Sequence, residues 1–328
     1  MAPPDRRDML SGVADTAAGL QSLASIGGET VTPYCVRSDA TSVEIWAGKR
    51  IQHGDEARSD WQRALKGELR QIFSALEVPQ EGLLAGHYLS TSPDIADTEN
   101  SLFTNMAEVI PRAFTALRFE RGTGTPPPPP IPVDLISGHL HYYRYHVGGR
   151  WTSWQPDRTI ARWERVPRPL PGDATARPVW YALRQANAGG LVGITPDTAL
   201  GIGENFGLRI TVHTPKNVSH KAISNSEFVI DGAIAAFHHD ACSDELLAAL
   251  LPKLPGVTEP ELRQALSCCA GPVFPTPAVR VFKGGAVQIS PADDRCWLGE
   301  YTVRRDSANR CLEISGELFT LRPQATSQ

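Results

Sequence analysis

The fold of this chain is decided by an apolar segment that lies between two aspartates and ends in two histidines, Asp231-Gly232-Ala233-Ile234-Ala235-Ala236-Phe237-His238-His239-Asp240. Despite its glycine, we predict a helix over 225–237. Predicted strands precede it at 135–147, 159–166, 178–185 and 207–214. Helices at 244–251 and 259–268 follow it, and then strands at 278–282, 286–290, 297–304 and 312–321. Strands, then helices, then strands favour an α+β fold with largely antiparallel sheets.

The first third of the chain shows the same mixture. Strands are predicted at 31–36, 42–47, 83–89 and 113–120, and helices at 55–76 and 102–109. Residues 122–132 contain five consecutive prolines, a composition typical of a stiff polyproline II rod. We therefore predict two units of largely antiparallel sheet with packed helices, at 1–121 and 133–328, with 122–132 as the linker. Two diverged copies of one unit are one interpretation of this arrangement.

Composition excludes several classes of protein. The chain has 328 residues, of which 41% are hydrophobic and 21% charged, so a packed core is expected. The first 30 residues show no secretory pattern, and no run approaches the ~18 apolar residues of a membrane helix. We therefore predict a cytoplasmic protein that does not cross a membrane. The six cysteines form no CxxC pair and are interpreted as mostly buried thiols.

Charge is distributed unevenly. Residues 134–221 carry 11 basic and 6 acidic side chains, whereas the segments before and after them are acidic. The same segment holds four of the seven tryptophans and four of the seven tyrosines. Arginine interleaved with aromatic residues suits a surface that contacts phosphates and stacks on bases. The same pattern is also typical of half-buried strands, with rings inside and guanidinium groups outside. The candidate nucleic-acid-binding residues are Arg144, Arg150, Trp151, Trp154, Arg158 and Arg162.

Two groups of residues have a pattern suited to catalysis or metal binding. In the opening segment, a carboxylate at one end of a helix and an imidazole and carboxylate group past the other end could converge on a divalent metal or a phosphate ester. The candidate catalytic residues there are Asp231, His238, His239 and Asp240. In the predicted strand 135–147, His139 and His141 share one face and could bind a metal, with Asp231 and Asp240 as further ligands. The alternative for both histidines is ordinary packing on a sheet.

A third acidic group, Asp97, Glu99 and Asn100, follows a predicted strand and begins a helix. These side chains could ligate an ion. Acids at the start of a helix more commonly serve as cap and dipole partners, and this is the favoured interpretation.

The segment 207–244 resembles the RusA-type Holliday-junction resolvases. A strand ending in Thr214-Pro215-Lys216-Asn217 is followed by a loop and a helix that contains Asp231, with His238, His239 and Asp240 behind it. The resemblance implies Mg²⁺-dependent or Mn²⁺-dependent hydrolysis of a phosphodiester. The family motif is degenerate here, because Glu227 stands where the family has a lysine. Ile223 and Ser224 stand at its Asp/Asn pair.

These observations predict a nucleic-acid-associated protein with a divergent RusA-like, metal-dependent nuclease module. The alternatives are a non-catalytic scaffold that binds another protein through its proline-rich linker, and a metal-dependent hydrolase that uses His139 and His141 with Asp231.

Overall fold

The computed structural model describes residues 31–53, 59–78, 82–94, 97–149, 153–168, 175–196, 199–216, 222–267, 272–306 and 310–324. The elements of the first half are β1 (Tyr34–Ser38), β2 (Ser42–Ala47), α1 (Asp60–Ala75), β3 (Leu83–Ser90), α2 (Thr98–Leu102), β4 (Ala116–Arg121) and β5 (His141–Val147). Those of the second half are β6 (Trp154–Pro167), α3 (Arg177–Ala188), β7 (Val192–Ile194), β8 (Phe206–Pro215), α4 (Ala222–Ala235), α5 (Asp244–Leu250), α6 (Glu259–Ser267), β9 (Val279–Val281), β10 (Val287–Ile289), β11 (Cys296–Asp306) and β12 (Glu313–Pro323). Short 3₁₀ helices lie at Thr104–Met106, Leu251–Lys253 and Asp293–Arg295.

Ten of the strands form one sheet in the order β1-β2-β5-β3-β4-β11-β8-β12-β6-β7, and β9 and β10 form a separate hairpin. In the large sheet, only β3 with β4 and β8 with β11 pair in parallel. The predicted α+β class with largely antiparallel pairing is thus confirmed. Within the described ranges, none of the helices combines the length and the apolar character that a membrane crossing requires.

The two halves of the sheet repeat one topology. In the first half the order β2-β5-β3-β4 has β5 antiparallel to both neighbours and β3 parallel to β4. In the second half β6-β12-β8-β11 has the same pattern, with β12 in the place of β5. In both halves a helix precedes the parallel pair (α1 or α3) and another connects its strands (α2 or α4). The antiparallel pairing of β4 with β11 joins the two units.

This topology corrects the predicted boundary between the units. Strand β5, assigned from the sequence to the second unit, pairs with β2 and β3 of the first. The division therefore falls between β5 and β6, at 148–153, and the polyproline run lies inside the first unit. A stiff polyproline II rod predicts a spacer between two folded units, but after the prolines Val133 bridges to Thr32 and β5 pairs with β2 and β3.

A second correction concerns 178–185, which forms α3 and was predicted as a strand. Its continuous run Val179-Trp180-Tyr181-Ala182-Leu183 is buried throughout, so it has no polar face from which a period could be inferred. Pro178 lies in the first turn of the helix, where its missing N–H needs no partner.

Helix α4 is buried where it crosses α3, and Gly232 allows the close approach. A Cβ at this position would lie 2.4 Å from the carbonyl oxygen of Ala176 and 2.8 Å from Cβ of Val179. The glycine that counts against a helix in the sequence is thus required by the packing of two helices.

We expect Gly232→Ala to lower the free energy of unfolding by about 1–3 kcal/mol, because α3 and α4 must move apart. Gly67→Ala is the matched control, since Gly67 lies within α1 and an added Cβ would meet nothing within 4 Å. We expect it to stabilise the protein by about 0.5–1 kcal/mol through helix propensity. Urea denaturation measures both, and a Gly232→Ala protein as stable as wild type would contradict the packing argument.

Candidate functional site

Asp240 is a structural residue in a buried ion pair. Its Oδ2 accepts a hydrogen bond from Nη2 of Arg184 at 2.7 Å, and the two side chains are 1% and 0% exposed. Its Oδ1 accepts from the backbone N–H groups of Ala278 and Val279, at 2.9 Å each. Both carboxylate oxygens are therefore engaged, which leaves this predicted ligand poorly placed to bind a metal.

His238 is also held by the protein. Its Nδ1 donates to the carbonyl oxygen of Thr276 at 2.8 Å, and its Nε2 accepts from the backbone N–H of Ala292 at 3.2 Å. The ring stacks on Phe274 at 4.6 Å, and burial lowers its pKa. The neighbouring His239 is exposed. His238 and Asp240 thus link α4 to the segment before β9, while Asp231 lies in a different environment.

Asp231 faces other carboxylates. We use the name acidic cluster for the five acids whose charges interact at the junction of the two units, which are Asp97, Glu99, Glu227, Asp231 and Asp293. Two come from α2 and its N-cap, two from α4, and one from the 3₁₀ helix before β11. Glu99 is 2% exposed, and the other four are half-buried. Within the described part of the chain, none of the five forms an ion pair.

Two neutral hydroxyl groups donate hydrogen bonds to Glu99 of the acidic cluster. The Ser226 hydroxyl on α4 donates to Oε1 of Glu99 at 2.6 Å, and the Thr104 hydroxyl donates to Oε2 at 3.2 Å. Asp293 is the main charged neighbour of Asp97 and raises its pKa. Two adjacent carboxylates repel each other, which favours the state in which one of the two acids keeps its proton, and we call this pair the couple of Asp97 and Asp293.

Burial and mutual repulsion favour the protonated forms. Burial is the largest cause of the raised pKa of Glu99, which lies at about 8. Burial also raises the pKa of Asp231, and the charges of Asp293, Glu227 and Glu99 raise it further. The pKa of Asp97 rises for the same reasons, with Asp293 as its main charged neighbour. Glu99 therefore carries a proton at neutral pH, where most carboxyl groups are ionised.

The two predicted metal-binding histidines lie elsewhere. His141 begins β5, while His139 precedes the strand, so the predicted same-face pairing on one strand is wrong. Both line a cavity of about 320 Å³ that also contains Lys49 and Arg50. The His141 Nδ1 lies 2.9 Å from the Tyr88 hydroxyl, and burial is the main cause that lowers its pKa to about 4.

The structure does not bring the four predicted metal ligands together. Asp240 is paired with Arg184, Asp231 belongs to the acidic cluster, and His139 and His141 line the cavity with two cations. More generally, no three His, Cys, Asp or Glu side chains among the described residues are spaced as a formed metal site. The carboxylate oxygens of the acidic cluster are nevertheless the ligand type that Mg²⁺ and Mn²⁺ prefer.

The predicted nucleic-acid-binding residues are scattered, and several are engaged. Arg162 pairs with Glu317 at 3.3 Å on one face of the sheet. On the same face Glu300 pairs with Arg118 at 3.0 Å and with Arg209 at 3.4 Å, so acids alternate with arginines.

Trp154 is fixed in the same region. Its indole N–H donates to the carbonyl oxygen of Arg121, and its ring packs edge-on against Trp297. Arg144 and Arg158 are exposed, and Arg150 and Trp151 lie outside the described residues.

The polyproline run contacts the protein's own sheet. The Trp46 indole N–H donates to the carbonyl oxygen of Pro127 at 2.8 Å, and Trp46 packs on Tyr142 with a ring separation of 5.2 Å. Proline-rich peptides dock on aromatic side chains in the same way. A partner that bound the side of the run facing Trp46 would have to displace this internal contact.

Sequence reasoning missed Asp293, Lys49 and Arg50. Asp293 directly precedes β11, and the two cations directly follow β2. Their positions next to predicted strands could have indicated a site, because charged residues at the ends of neighbouring strands meet at one edge of a sheet. The strand order needed to use this signal is not evident from the sequence.

Comparison with protein-family models, with curated protein sequences and with solved structures returned no match to this chain.

Proposed function

We propose that this protein is a hydrolase of nucleic-acid phosphodiesters whose catalytic groups belong to the acidic cluster. The observation that carries the proposal is the meeting of five carboxyl groups from both units, four of them half-buried, to which the described residues supply no ion-pair partner. Burying carboxyl groups without cations costs stability, so packing alone is a poor reason for the arrangement. Carboxyl groups whose pKa values are raised by burial and by neighbouring charges are typical of catalytic sites.

The couple of Asp97 and Asp293 offers an acid and a base at the same place. The Asp293 carboxylate would take a proton from a water molecule as its oxygen attacks phosphorus. The protonated Asp97 would donate its proton to the leaving oxygen as the P–O bond breaks. Return of the proton from Asp293 to Asp97 by exchange with solvent restores the starting state.

The resemblance to the RusA-type resolvases suggests that Mg²⁺ or Mn²⁺ takes part. Asp231 and Glu227 on α4, which take no part in the proton transfers, would hold the ion, which when bound would offset the negative charge of the phosphate. The four residues predicted from the sequence as metal ligands do not support this role as a set, because they lie in three separate environments.

Cleavage of labelled nucleic acid tests the proposal. The substrates are single-stranded, duplex and branched molecules, each with Mg²⁺, with Mn²⁺ and with a chelator. We expect one class to be cleaved, and we expect Asp293→Asn to slow its cleavage by at least ~100-fold through loss of the base. Comparison of the cleavage rates with Mg²⁺ or Mn²⁺ and with the chelator measures the dependence of cleavage on the metal ion.

Asp60→Asn is the matched control, because Asp60 is an aspartate on α1 whose side chain is 97% exposed. Its cleavage rate should stay within about twofold of wild type. Circular dichroism and the unfolding midpoint verify that both variants are folded. Wild-type protein that cleaves none of the substrates, or equal rates for Asp293→Asn and Asp60→Asn, would reject the hydrolase.

A further inference from the structure

The cavity beside β5 has the composition of an anion-binding site. We call it the basic cavity, and its volume is about 320 Å³. It lies at the sheet edge where β2 and β3 end and β5 begins. The residues that line it are Lys49, Arg50, Tyr88, Ser92, Asp94, Ser137, His139 and His141. Its size is at the lower end of the range for small-molecule sites.

The two cations of the basic cavity are not neutralised by the protein. Within the described part of the chain, neither Lys49 nor Arg50 makes an ion pair or a side-chain hydrogen bond. Arg162, in contrast, is paired with Glu317. The positive charge of Arg50 acts on the lining residue His141, since it helps to lower the pKa of that histidine. The cavity thus presents positive charge that the fold itself does not use.

Uncharged donors complete the site. If Nδ1 of His141 accepts from the Tyr88 hydroxyl at 2.9 Å, the ring proton is on Nε2, which is then a donor. The Ser92 oxygen accepts from the backbone N–H of Asp94 at 3.2 Å, and its own proton remains for another acceptor. Ser137 is different, because its hydroxyl donates to the carbonyl oxygen of Gly48. Two cations with neutral donors between them suit the oxygens of a phosphate group.

We propose that the basic cavity binds a phosphate monoester carried on a sugar, with Lys49 and Arg50 against the phosphate. Asp94, the one acid of the lining, would repel a second phosphate and accept a hydrogen bond from a sugar hydroxyl. The two cations also oppose a metal ion at His139 and His141. The histidines therefore serve as donors to an anion in this proposal, and not as metal ligands.

The basic cavity lies near the acidic cluster along the chain. Ser92 and Asp94 belong to the segment between the end of β3 and the start of α2, whose N-cap is Asp97. The role of the cavity in catalysis rests on the proposed hydrolase, in which it would hold the terminal phosphate of a nucleic-acid substrate. Phosphate binding itself does not depend on that activity.

Calorimetric titration of the full chain tests the cavity with inorganic phosphate, adenosine 5′-monophosphate and adenosine as probes. We expect the monophosphate to bind, inorganic phosphate to bind more weakly, and adenosine not to bind. Lys49→Ala and Arg50→Ala should each weaken binding of the monophosphate by at least ~10-fold, since each removes a charged hydrogen bond to the phosphate.

Lys283→Ala and Arg280→Ala are the matched controls, because both residues are exposed and the changes in charge are the same. Binding of the monophosphate should be unchanged in both. No saturable binding by either phosphate probe, or equal losses in the cavity variants and the controls, would overturn the proposal. If inorganic phosphate binds as tightly as the monophosphate, the sugar contact is wrong.

Titration of Asp293→Asn separates this proposal from the proposed function. Retained binding with lost cleavage supports both. If wild-type protein binds the monophosphate but cleaves no nucleic acid, the hydrolase fails while the basic cavity remains. If wild-type protein cleaves nucleic acid but binds neither phosphate probe, the basic-cavity proposal fails while the proposed hydrolase remains.

Discussion

Asp240→Ala is expected to lower the free energy of unfolding by about 3–5 kcal/mol, because it removes the carboxylate that pairs with the buried Arg184 guanidinium. The pair lies in the interior, and Nη2 of Arg184 also donates to the carbonyl oxygen of His238 at 2.6 Å. The variant further removes the acceptor of two buried backbone N–H groups, those of Ala278 and Val279. Urea denaturation monitored by circular dichroism measures the loss.

The double variant Asp240→Leu with Arg184→Met is the informative control for this prediction. Replacing both charges with apolar side chains of similar size removes the buried guanidinium together with its carboxylate partner, so the double variant should be more stable than Asp240→Ala alone. A loss below about 1 kcal/mol in Asp240→Ala would show that the ion pair does not stabilise the link between α4 and the segment before β9.

The second large effect is a dependence of stability on pH that originates in the acidic cluster. Burial raises the pKa of Glu99 from its usual value of 4.5 to about 8. Between these values the folded protein holds a proton that the unfolded chain releases. The free energy of unfolding therefore falls as pH rises from about 4.5 to 8.

Glu99→Gln removes this contribution, because its amide is neutral at every pH and can hydrogen bond to the hydroxyls of Ser226 and Thr104. We expect the variant to match wild type near pH 5 and to be more stable at pH 8, on the order of 3 kcal/mol. Denaturation in urea at a series of pH values measures the difference. Glu245→Gln, at an exposed position on α5, should follow the wild-type curve. Parallel curves for Glu99→Gln and wild type would contradict the assigned ionisation.

The pH experiment also bears on the proposed catalytic groups. Asp97 and Asp231 have pKa values raised by the same burial and repulsion, so part of the pH dependence should remain in Glu99→Gln. If Asp293→Asn lowers this remaining slope as well, the interaction among the acids that underlies the proposed couple of Asp97 and Asp293 is supported.

Local patterns were reliable where one face of an element is polar. The predicted strand 42–47 matches β2 because buried Val43 and Ile45 alternate with partly exposed residues. The helix predicted at 55–76 matches α1 over its described part, because Leu65, Leu69 and Phe73 recur at helical spacing. Such patterns fail when an element is buried on all sides, as in α3, since no polar face marks the period.

The candidate site required information of another kind. Asp97 with Glu99 and the opening segment with Asp231 were recognised separately as acids near the junctions of strands and helices. Their contact depends on the antiparallel pairing of β4 with β11, which joins two units that are distant in sequence. The same pairing places Asp231 next to other carboxylates. Asp240, only nine positions further along the chain, is instead buried in an ion pair with Arg184.

The sequence by itself determined the class of fold, the identity of most strands and helices, and the presence of acids and histidines in suggestive positions. These follow from short-range periodicity and from the intrinsic preferences of each residue. Only the tertiary structure decided which charges remain without partners. It neutralised Asp240 and Arg162 by pairing, whereas the described residues supply no ion-pair partner to the acidic cluster or to the two cations of the basic cavity. The physical reason is that electrostatic interactions and burial depend on distances across the sheet, and those distances are fixed by strand order.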